Sequence, residues 1–458
     1  MNRRGPKTLA MVKTAAVVGL GKLGAPLAAC LASKGIRVVG VDSDPQKLDA
    51  MREGHSPVLE TGLDALIASN RERIGTTESI EEAVAASEVT FIVVGTPSEP
   101  SGAFSLRYVL PVCEAAGRAL KVKREYHLVV LTSTVLPGTT DGPVRAKLEE
   151  LSGKKCGRDF GLCYSPEFIA LGSVIRDFLN PDFVLIGESD PRAGEILQEL
   201  YKRVCDSSPA VARMNFANAE ITKLAVNTYV TTKISFANML ARICERVAGG
   251  NVDIVTAALG LDSRIGAKYL KGAVSYGGPC FPRDNHALAA LAQQVGAPAD
   301  LAEATDQFNR SQVHWLAALV EQHATPGGTV GILGLTYKPQ TDVVEESVGF
   351  LLAQELGPRG FRVIAFDPAG MPNARIILGE RVQFASSAVE CIGHSEVIVV
   401  TTPWKEFVEL PAEKWRGGNK EKTVVDCWRV LSLENERGKI RYISLGLASP
   451  PGQTAVAK

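Results

Sequence analysis

The first part of the chain alternates short apolar runs with stretches of helical spacing. The apolar runs are rich in β-branched residues, and they lie at Thr14–Val18, Arg37–Val41, Val89–Val94, Leu128–Leu131 and Phe183–Ile186. Strands that are separated by helices favour a parallel sheet with helices on both of its faces. The pattern therefore predicts a doubly wound α/β domain over residues 1–214.

The pattern changes after this domain. Residues 217–248 contain almost no helix breaker and no long β-branched run, which predicts one long helix that ends at Gly249-Gly250. Further helical segments follow, and a loop over residues 272–284 interrupts them. We therefore expect an all-helical central domain over residues 215–323.

The strand–helix alternation resumes after Thr325-Pro326-Gly327-Gly328, a sequence typical of a boundary. Apolar runs recur at Val330–Leu333, Phe361–Phe366, Val397–Val400 and Val424–Asp426. They predict a second doubly wound, Rossmann-like domain over residues 324–458, followed at its end by a loose tail of about ten residues. The fold class expected for the whole chain is α/β, with two Rossmann-like domains joined by a central helical domain.

Composition narrows the functional classes. The chain has 50 basic and 50 acidic residues and a net charge of zero, which argues against bulk electrostatic binding of nucleic acid or of an anionic membrane. No apolar run approaches the roughly 18 residues of a membrane span. Nine scattered cysteines without a CxxC pair make disulfides and zinc unlikely, and the six histidines suggest no metal site. We expect no metal and a reducing, cytoplasmic location.

A glycine-rich turn, Gly19-Leu20-Gly21-Lys22-Leu23-Gly24, follows the first predicted strand and opens a helix. In this context the first glycine allows the turn, the second lets a pyrophosphate approach, and the third lets helix and strand pack closely. Asp42 ends the next predicted strand, where a carboxylate binds ribose hydroxyls and repels a 2′-phosphate. The arrangement predicts NAD as the cofactor; the alternative is a glycine-rich turn with no ligand.

Four polar residues lie on one face of the predicted long helix. Glu220, Lys223, Asn227 and Thr231 are spaced i, i+3, i+7 and i+11. The simplest interpretation is a solvated polar stripe, but apolar neighbours indicate partial burial. A partly buried lysine and asparagine need partners or a chemical role.

A cysteine lies in the loop Ser275-Tyr276-Gly277-Gly278-Pro279-Cys280-Phe281-Pro282-Arg283-Asp284. Most cysteines are structural, but two glycines before Cys280 would permit close approach of a substrate. Asp284 would orient a base or a water molecule, and Lys223 would favour the thiolate if folding brings it near. Cys280 is therefore a candidate nucleophile.

Taken together, these motifs resemble those of the nucleotide-sugar 6-dehydrogenases, the UDP-glucose/GDP-mannose dehydrogenase family. The resemblance covers nearly the whole chain, and the cysteine loop and the Lys223–Asn227 helix are its most specific parts. The other matching segments are Thr96-Pro97, Ser133-Thr134-Val135, Ser165-Pro166-Glu167-Phe168, Lys233–Asn238, Arg264-Ile265-Gly266 and Gly334-Leu335-Thr336-Tyr337-Lys338-Pro339.

The resemblance implies a four-electron reaction. Two NAD would oxidise the primary alcohol at C6 of a sugar nucleotide, with UDP-glucose to UDP-glucuronate as the first expectation. Cys280 would form a thiohemiacetal and then a thioester, which water hydrolyses. The catalytic set would be Cys280, Lys223, Asn227, Asp284, Thr134 and Glu167.

The resemblance also implies binding residues and a subunit partner. NAD would contact Gly19, Gly21, Lys22, Leu23, Gly24, Asp42, Thr96 and Thr134. The nucleotide sugar would contact Phe168, Lys223, Asn227, Arg264, Lys271, Tyr276, Gly277 and Lys338. Arg264 would reach the active site of a neighbouring subunit, and the long helix would form the core of a homodimer, with a higher oligomer left open.

Several positions depart from the family pattern. Leu171 and Met239 replace acidic residues, Glu345 replaces an arginine, and Trp428 stands where an arginine is expected, one residue before Arg429. Such changes would alter the substrate while leaving the thiol chemistry intact. The alternatives are the same chemistry on a UDP-N-acetylhexosamine, a two-electron NAD-dependent hydroxyacid dehydrogenase that needs no cysteine, and a catalytically silent nucleotide-binding protein.

Overall fold

The computed structural model describes residues 11–416, 421–436 and 438–448. It divides into two compact units, Met1–Ala225 and Val226–Lys458. The tail expected at the end of the chain lies outside the described residues, and the boundaries of the three predicted domains stay a prediction. Within the described residues, no helix is both long and apolar enough to cross a membrane.

The first unit is built on an eight-stranded sheet. Its strands are β1 (Thr14–Val18), β2 (Arg37–Val41), β3 (Ile74–Thr77), β4 (Val89–Ile92), β5 (Leu128–Leu131), β6 (Gly161–Tyr164), β7 (Phe183–Glu188) and β8 (Ala210–Met214). They lie in the order β3-β2-β1-β4-β5-β6-β7-β8. Neighbouring strands are parallel except β6 and β7, which are antiparallel. The order reverses between β1 and β4, which is where ligands of doubly wound sheets bind.

Helices cover both faces of this sheet. They are α1 (Gly24–Ser33), α2 (Pro45–Glu53), α3 (Leu63–Ser69), α4 (Ile80–Ala86), α5 (Val109–Val122), α6 (Arg145–Ser152), α7 (Val174–Leu179) and α8 (Pro191–Val204). Successive side chains of a strand point to opposite faces. Accordingly Ala15 and Val17 of β1 enter one hydrophobic cluster, and Ala16 and Val18 enter another. Burial on both faces explains why this strand is an unbroken apolar run.

Helix α9 (Phe216–Cys244) begins next, and the division between the two units falls within it. The prediction of one long helix here is confirmed, but the helix ends four residues before the end of the predicted stretch at Ala248. The amide of Arg246 donates to the carbonyl of Ile243, and that of Val247 to Cys244, three residues back instead of four. The chain therefore tightens into turns before Gly249, whose φ of 78° ends any helix.

The second unit continues with helices and a six-stranded parallel sheet. The helices are α10 (Val252–Gly260), α11 (Phe281–Gln294), α12 (Asp300–Glu321), α13 (Val348–Leu356), α14 (Met371–Leu378), α15 (Ala388–His394) and α16 (Lys405–Val408). The strands are β9 (Thr329–Leu333), β10 (Arg362–Phe366), β11 (Gln383–Phe384), β12 (Val397–Val400), β13 (Lys422–Asp426) and β14 (Ile440–Ser444), in the order β11-β10-β9-β12-β13-β14. This confirms the expected fold class of two parallel-sheet α/β domains and a helical central region.

The two sheets share a local hydrogen bond between the turn after the first strand and an aspartate at the end of the second strand. The sequence did not reveal this feature as a repeat. In the first sheet the amide of Leu20, just after β1, donates to Asp42 at the end of β2 (2.7 Å). In the second sheet the amide of Leu335, just after β9, donates to Asp367 at the end of β10 (2.7 Å). Each acid therefore fixes the turn that leaves the first strand of its sheet.

Candidate active site

The glycine-rich turn after β1 has the shape that a dinucleotide requires. Gly19 has a φ of +99°, which favours glycine, and a Cβ on Gly24 would overlap the carbonyl oxygen of Gly19. Around Gly21, by contrast, none of the described residues comes within 4 Å of the position of a Cβ. The backbone is thus open where a pyrophosphate would approach the start of α1, so these residues fit NAD.

Asp42 also helps to shape this turn. Its Oδ2 accepts from the amide of Leu20 at 2.7 Å and its Oδ1 from the amide of Asp44 at 3.0 Å, while Lys47 forms an ion pair with it at 3.4 Å. A carboxylate has about four lone-pair sites. The two amides take two of these sites. Lys47 Nζ lies farther away, 3.5 Å from Oδ1 and 3.4 Å from Oδ2, so ribose hydroxyls would take the sites that the lysine occupies only weakly.

Two threonines lie beyond the carboxyl ends of β4 and β5. The Thr96 hydroxyl donates to the main-chain oxygen of Thr134 at 2.8 Å. The adjacent Ser133 hydroxyl donates to the main-chain oxygen of Val94 at 2.6 Å. These bonds join the two loops at the edge of the sheet where the glycine-rich turn also lies.

Lys223 of α9 meets the loop that follows β6. Its Nζ donates to the main-chain oxygen of Glu167 at 2.7 Å and lies 4.6 Å from the centre of the Phe168 ring. That ring packs against Phe183, with ring centres 4.8 Å apart. Lys223 is therefore buried with partners, as its position on the polar face of α9 suggested.

The carboxyl group of Glu167 faces Tyr201 of α8. The Tyr201 hydroxyl lies 3.2 Å from Glu167 Oε1. Burial raises the pKa of Glu167 to about 7, against the opposing effects of the Tyr201 hydrogen bond and the positive charge of Lys223. A carboxyl group with such a pKa can take up and release a proton near neutral pH.

Glu220, at the start of the same polar face, has a structural role. Its carboxylate accepts from the amides of Gly138 and Thr140 at 2.7 and 2.8 Å, and from the Thr140 hydroxyl at 2.6 Å. The side chain is fully buried and satisfied, and it ties α9 to the loop after β5. The solvated-stripe interpretation is therefore wrong for this position.

Asn227 and Asp284 form a buried pair in the second unit. The Asn227 amide donates to Asp284 Oδ2 at 2.6 Å, and Asp284 is only 1% exposed. Asp284 Oδ1 lies 3.5 Å from Arg283 Nε, but within the described residues it accepts no hydrogen bond. A buried carboxylate oxygen without a donor is suited to receive one from a bound water molecule.

Cys280 is exposed and immediately precedes α11. The predicted loop end at Asp284 is wrong by four residues, because Pro282 fits the first turn of a helix and the amide of Asp284 donates to the Cys280 carbonyl at 2.8 Å. Free amides at the start of a helix stabilise a negative charge. A thiolate at Cys280 would be stabilised by this position.

The glycines before Cys280 are required by the chain itself. A Cβ on Gly277 would overlap the main-chain oxygen of Glu346, and one on Gly278 would come within 2.9 Å of the Tyr337 ring. The amide of Gly278 also donates to the Glu345 carbonyl at 3.0 Å. The two glycines were expected to let a substrate come close to the loop. In the structure, the segment at residues 345–346 already packs closely against them, and Glu345 takes part through its main chain.

Three asparagines hold the cysteine loop in place. Asn309 exchanges two hydrogen bonds with the main chain of Tyr276, at 2.9 and 3.0 Å, and Asn285 donates to the Tyr276 hydroxyl at 2.9 Å. Asn238 bonds the main chain of residues 273 and 274 in the same way. Sequence reasoning did not single out Asn309, Asn285 or Tyr201; buried asparagines within helical patterns were the available signal.

Three further candidates are partly or fully exposed. Lys338 is half-buried, 5.8 Å from the Tyr337 ring, and Lys271 is exposed. The Arg264 side chain is 87% exposed and pairs with Asp262.

Arg429 does not serve as a free cation in place of the missing arginine. Its guanidinium donates four hydrogen bonds, two to Asp253 and two to the carbonyls of Leu445 and Gly272. The neighbouring Trp428 donates from its indole to the Thr401 carbonyl at 2.8 Å.

A doubly wound sheet with this glycine turn and acidic partner defines a dinucleotide-binding protein. The chain belongs to the UDP-glucose/GDP-mannose dehydrogenase family. Residues 13–205 match the family's NAD binding domain, residues 217–311 its central domain and residues 331–433 its UDP binding domain. The protein is therefore an NAD-dependent oxidoreductase, which confirms the predicted cofactor.

Individual relatives support this assignment. The chain is 35% identical to a UDP-glucose 6-dehydrogenase of Rhizobium meliloti, over 94% of this chain and 98% of the relative. It is 33% identical to a GDP-mannose 6-dehydrogenase of Pseudomonas aeruginosa, over 86% and 92%. The structure of a UDP-glucose dehydrogenase from Pyrobaculum islandicum superimposes with a TM-score of 0.87 at 34% identity, over 97% of this chain and 99% of that one.

Proposed function

We propose that the protein oxidises the primary alcohol at C6 of a nucleotide sugar to a carboxylate, with UDP-glucose as the first candidate substrate. The observation that carries the proposal is the cysteine loop: an exposed thiol at the start of α11, followed by the buried Asn227–Asp284 pair. The UDP-glucose 6-dehydrogenases among the relatives and the match to a UDP binding domain support the choice of nucleotide.

The chain supplies the nucleophile. The glycine-rich turn and Asp42 would hold NAD, which would supply the hydride acceptor for each of the two oxidations at C6. The Cys280 thiolate adds to the aldehyde carbon that the first oxidation leaves, and a C–S bond forms. The second oxidation converts this thiohemiacetal to a thioester. Water then attacks the same carbon, the C–S bond breaks, and carboxylate and thiolate are released.

The surrounding polar groups stabilise these steps. Lys223 supplies a cation, and Asn227 donates its second amide hydrogen, to the oxygen that becomes negative; such donors can each contribute about 10²–10³ in rate. Asp284 accepts from the attacking water through its free Oδ1. Glu167 and Thr134 help to hold that water.

The binding residues follow the family pattern. In this proposal Phe168, Lys271, Tyr276, Gly277 and Lys338 contact the nucleotide sugar. Lys338 directly follows Tyr337, and the Tyr337 ring packs closely against the cysteine loop at Gly278. A contact between Lys338 and a phosphate would therefore stabilise the segment that supports the cysteine loop.

We infer that the enzyme is a homodimer in a reducing cytoplasm. Tyr229, Phe236, Met239 and Ile243 of α9 are large apolar side chains left exposed. The Arg264 side chain is exposed, as it must be if it reaches into a neighbouring subunit. None of the nine cysteines forms a disulfide bond, and Cys280 is exposed.

Reaction stoichiometry tests the proposal. The purified protein is incubated with NAD and, separately, UDP-glucose, a UDP-N-acetylhexosamine, GDP-mannose and a set of 2- and 3-hydroxyacids. We expect two NADH for each nucleotide sugar consumed, and no free aldehyde. One NADH with free aldehyde would refute the thioester route, and binding of NAD without NADH from any substrate would favour a silent nucleotide-binding protein.

The Cys280→Ala variant distinguishes a four-electron nucleotide-sugar dehydrogenase from a two-electron hydroxyacid dehydrogenase. A four-electron enzyme loses the second oxidation without the thiol, whereas a hydroxyacid dehydrogenase keeps nearly full turnover. Cys156→Ala is the matched control, since Cys156 is a free, partly exposed thiol in another part of the chain. Its activity should equal that of the unmodified enzyme.

A further inference from the structure

Two buried hydroxyls connect the carboxyl group of Glu167 to the main chain of β7. The Tyr201 hydroxyl lies 3.2 Å from Glu167 Oε1 and 3.1 Å from the Ser165 hydroxyl. Ser165 in turn donates to the main-chain oxygen of Leu185 at 2.9 Å. Because Tyr201 and Ser165 are both buried, these hydroxyls have each other and Glu167 as partners instead of bulk water.

Tyr201 is held firmly and remains neutral. Its ring packs against Phe178, with ring centres 6.2 Å apart, and belongs to the hydrophobic core of the first unit. Burial raises the pKa of its hydroxyl well above the ordinary value. A neutral tyrosine has one O–H proton, so it donates either to Glu167 or to Ser165, and not to both at once.

The protons available to Glu167, Tyr201 and Ser165 determine how their hydrogen bonds change when Glu167 ionises. When Glu167 is protonated, it donates to Tyr201, Tyr201 donates to Ser165, and Ser165 donates to the main chain, so that every contact holds one proton. When Glu167 is ionised, Tyr201 turns and donates to the carboxylate. The contact between Tyr201 and Ser165 then lacks a proton, because Ser165 keeps its bond to the main chain.

We propose that Tyr201 is a positioning residue for Glu167, and that its hydroxyl reverses one hydrogen bond as Glu167 loses or gains a proton. The carboxyl group is thereby held in the same place in both states. The inference rests on the proposed function, in which Glu167 helps to hold the hydrolytic water. A group that holds this water whether it is protonated or ionised must keep its position in both states.

Other groups around Glu167 set the balance between its two states. Lys223 of α9 favours the carboxylate. Two thiols also face Glu167, Cys30 of α1 and Cys205 just after α8. Burial raises the pKa of Cys30 to about 12 and that of Cys205 to about 11, so both are neutral near pH 7. Among the described residues, the Tyr201 hydroxyl and Lys223 are thus the groups that favour the ionised form against burial.

Two substitutions should shift the Glu167 titration in opposite directions. Hydrogen bonds to a carboxylate are stronger than those to a neutral carboxyl group, so Tyr201→Phe should raise the pKa of Glu167 by about 0.5–1 unit. Ser165→Ala removes the acceptor that Tyr201 uses when Glu167 is protonated, and it should lower that pKa. The ionised fraction at pH 7 then falls in the first variant and rises in the second.

The direct measurement is infrared spectroscopy of the carboxyl C=O band as a function of pH. The band of Glu167 is identified by its absence in Glu167→Gln. The kcat of hydrolysis should follow the same shifts, with KM for the nucleotide sugar unchanged, and Tyr201→Phe should have no further effect on the profile in the Glu167→Gln background. Ring packing is preserved in Tyr201→Phe, which limits the risk of misfolding.

Tyr126→Phe is the matched control. Tyr126 lies in the same unit, and its buried hydroxyl has no hydrogen-bond partner within the described residues. Its removal should leave the Glu167 band unshifted. Shifts in the same direction for Tyr201→Phe and Ser165→Ala, or no shift in either, would overturn the proposal. The infrared titration gives this answer even if no nucleotide sugar is oxidised, in which case the proposed function alone fails.

Discussion

Asp284 combines deep burial with one carboxylate oxygen that accepts no hydrogen bond from the described residues. In Asp284→Asn the side chain keeps its size and can still accept from Asn227, but it loses the charge that withdraws a proton from water. We expect hydrolysis of the thioester to slow by about 10²–10⁴ while the two oxidations continue. Mass spectrometry of the quenched protein should then show a sugar nucleotide bound covalently at Cys280.

The matched control for this change is Asp300→Asn. Asp300 is an exposed acid at the start of α12, and its substitution should leave turnover unchanged and produce no adduct. If Asp284→Asn turned over normally, or stopped before releasing the first NADH, Asp284 would not be the group that activates water.

At this scale, residues within one short motif could be predicted from the sequence, whereas residues that act through distant partners could not. The glycines around Gly21 and the thiol at Cys280 can be recognised from the residues next to them in the sequence. Tyr201 contacts Ser165 and Glu167 across 36 and 34 residues of sequence, so its hydroxyl shows no local pattern. Glu60 is similar, since its carboxylate accepts from amides of the loop after Glu167, at positions 172 and 174.

The cysteine loop depends on the close passage of a second segment. A Cβ on Gly277 would overlap the carbonyl oxygen of Glu346, so Gly277→Ala must displace one of the two segments. We expect the free energy of unfolding to fall by about 1–3 kcal/mol. We also expect kcat to fall at least about tenfold, since small displacements of a nucleophile are costly. Urea denaturation and steady-state kinetics measure the two effects.

Gly393→Ala provides the comparison within the same unit. Gly393 lies in α15, and none of the described residues comes within 4 Å of its Cβ position. Alanine is the better helix former, so this variant should be as stable as the original or slightly more stable. If both variants kept the same stability and activity, an alanine at position 277 would be tolerated as at an ordinary loop position.

Most central strands could be predicted to within a residue or two. The missed strands are β3, β6, β8, β11 and β14, and of these β6 lies inside its sheet. β1, β2, β5 and β12 have the predicted bounds because, in a parallel sheet covered on both faces, a strand is an unbroken apolar run. β8, at the edge of its sheet, is only partly buried and contains an arginine, so its sequence lacks that signal. Register and the antiparallel β6–β7 pair depend on contacts that no local pattern carries.

For the whole molecule, we expect the exposed apolar face of α9 to pack against a second copy of the chain. Tyr229, Phe236, Met239 and Ile243 follow one another at intervals of seven, three and four residues, which places them on one side of the helix. Tyr229 is 64% exposed. We expect Phe236→Asp combined with Ile243→Asp to convert a dimer to a monomer in analytical ultracentrifugation, while circular dichroism stays unchanged.

Mixing two inactive variants tests whether the assembly completes the site. Arg264→Ala retains Cys280, and Cys280→Ala retains Arg264. If Arg264 acts on the neighbouring subunit, half of the randomly mixed dimers contain one complete site, and about a quarter of the original activity should return. Cys280→Ala combined with Arg264→Lys supplies a lysine, which keeps the charge but not the forked geometry. Mixed with Arg264→Ala, it should return less activity than Cys280→Ala alone. Mixed dimers that form but remain inactive would show that Arg264 serves its own subunit or none, and the exposed position of its side chain would then need another cause.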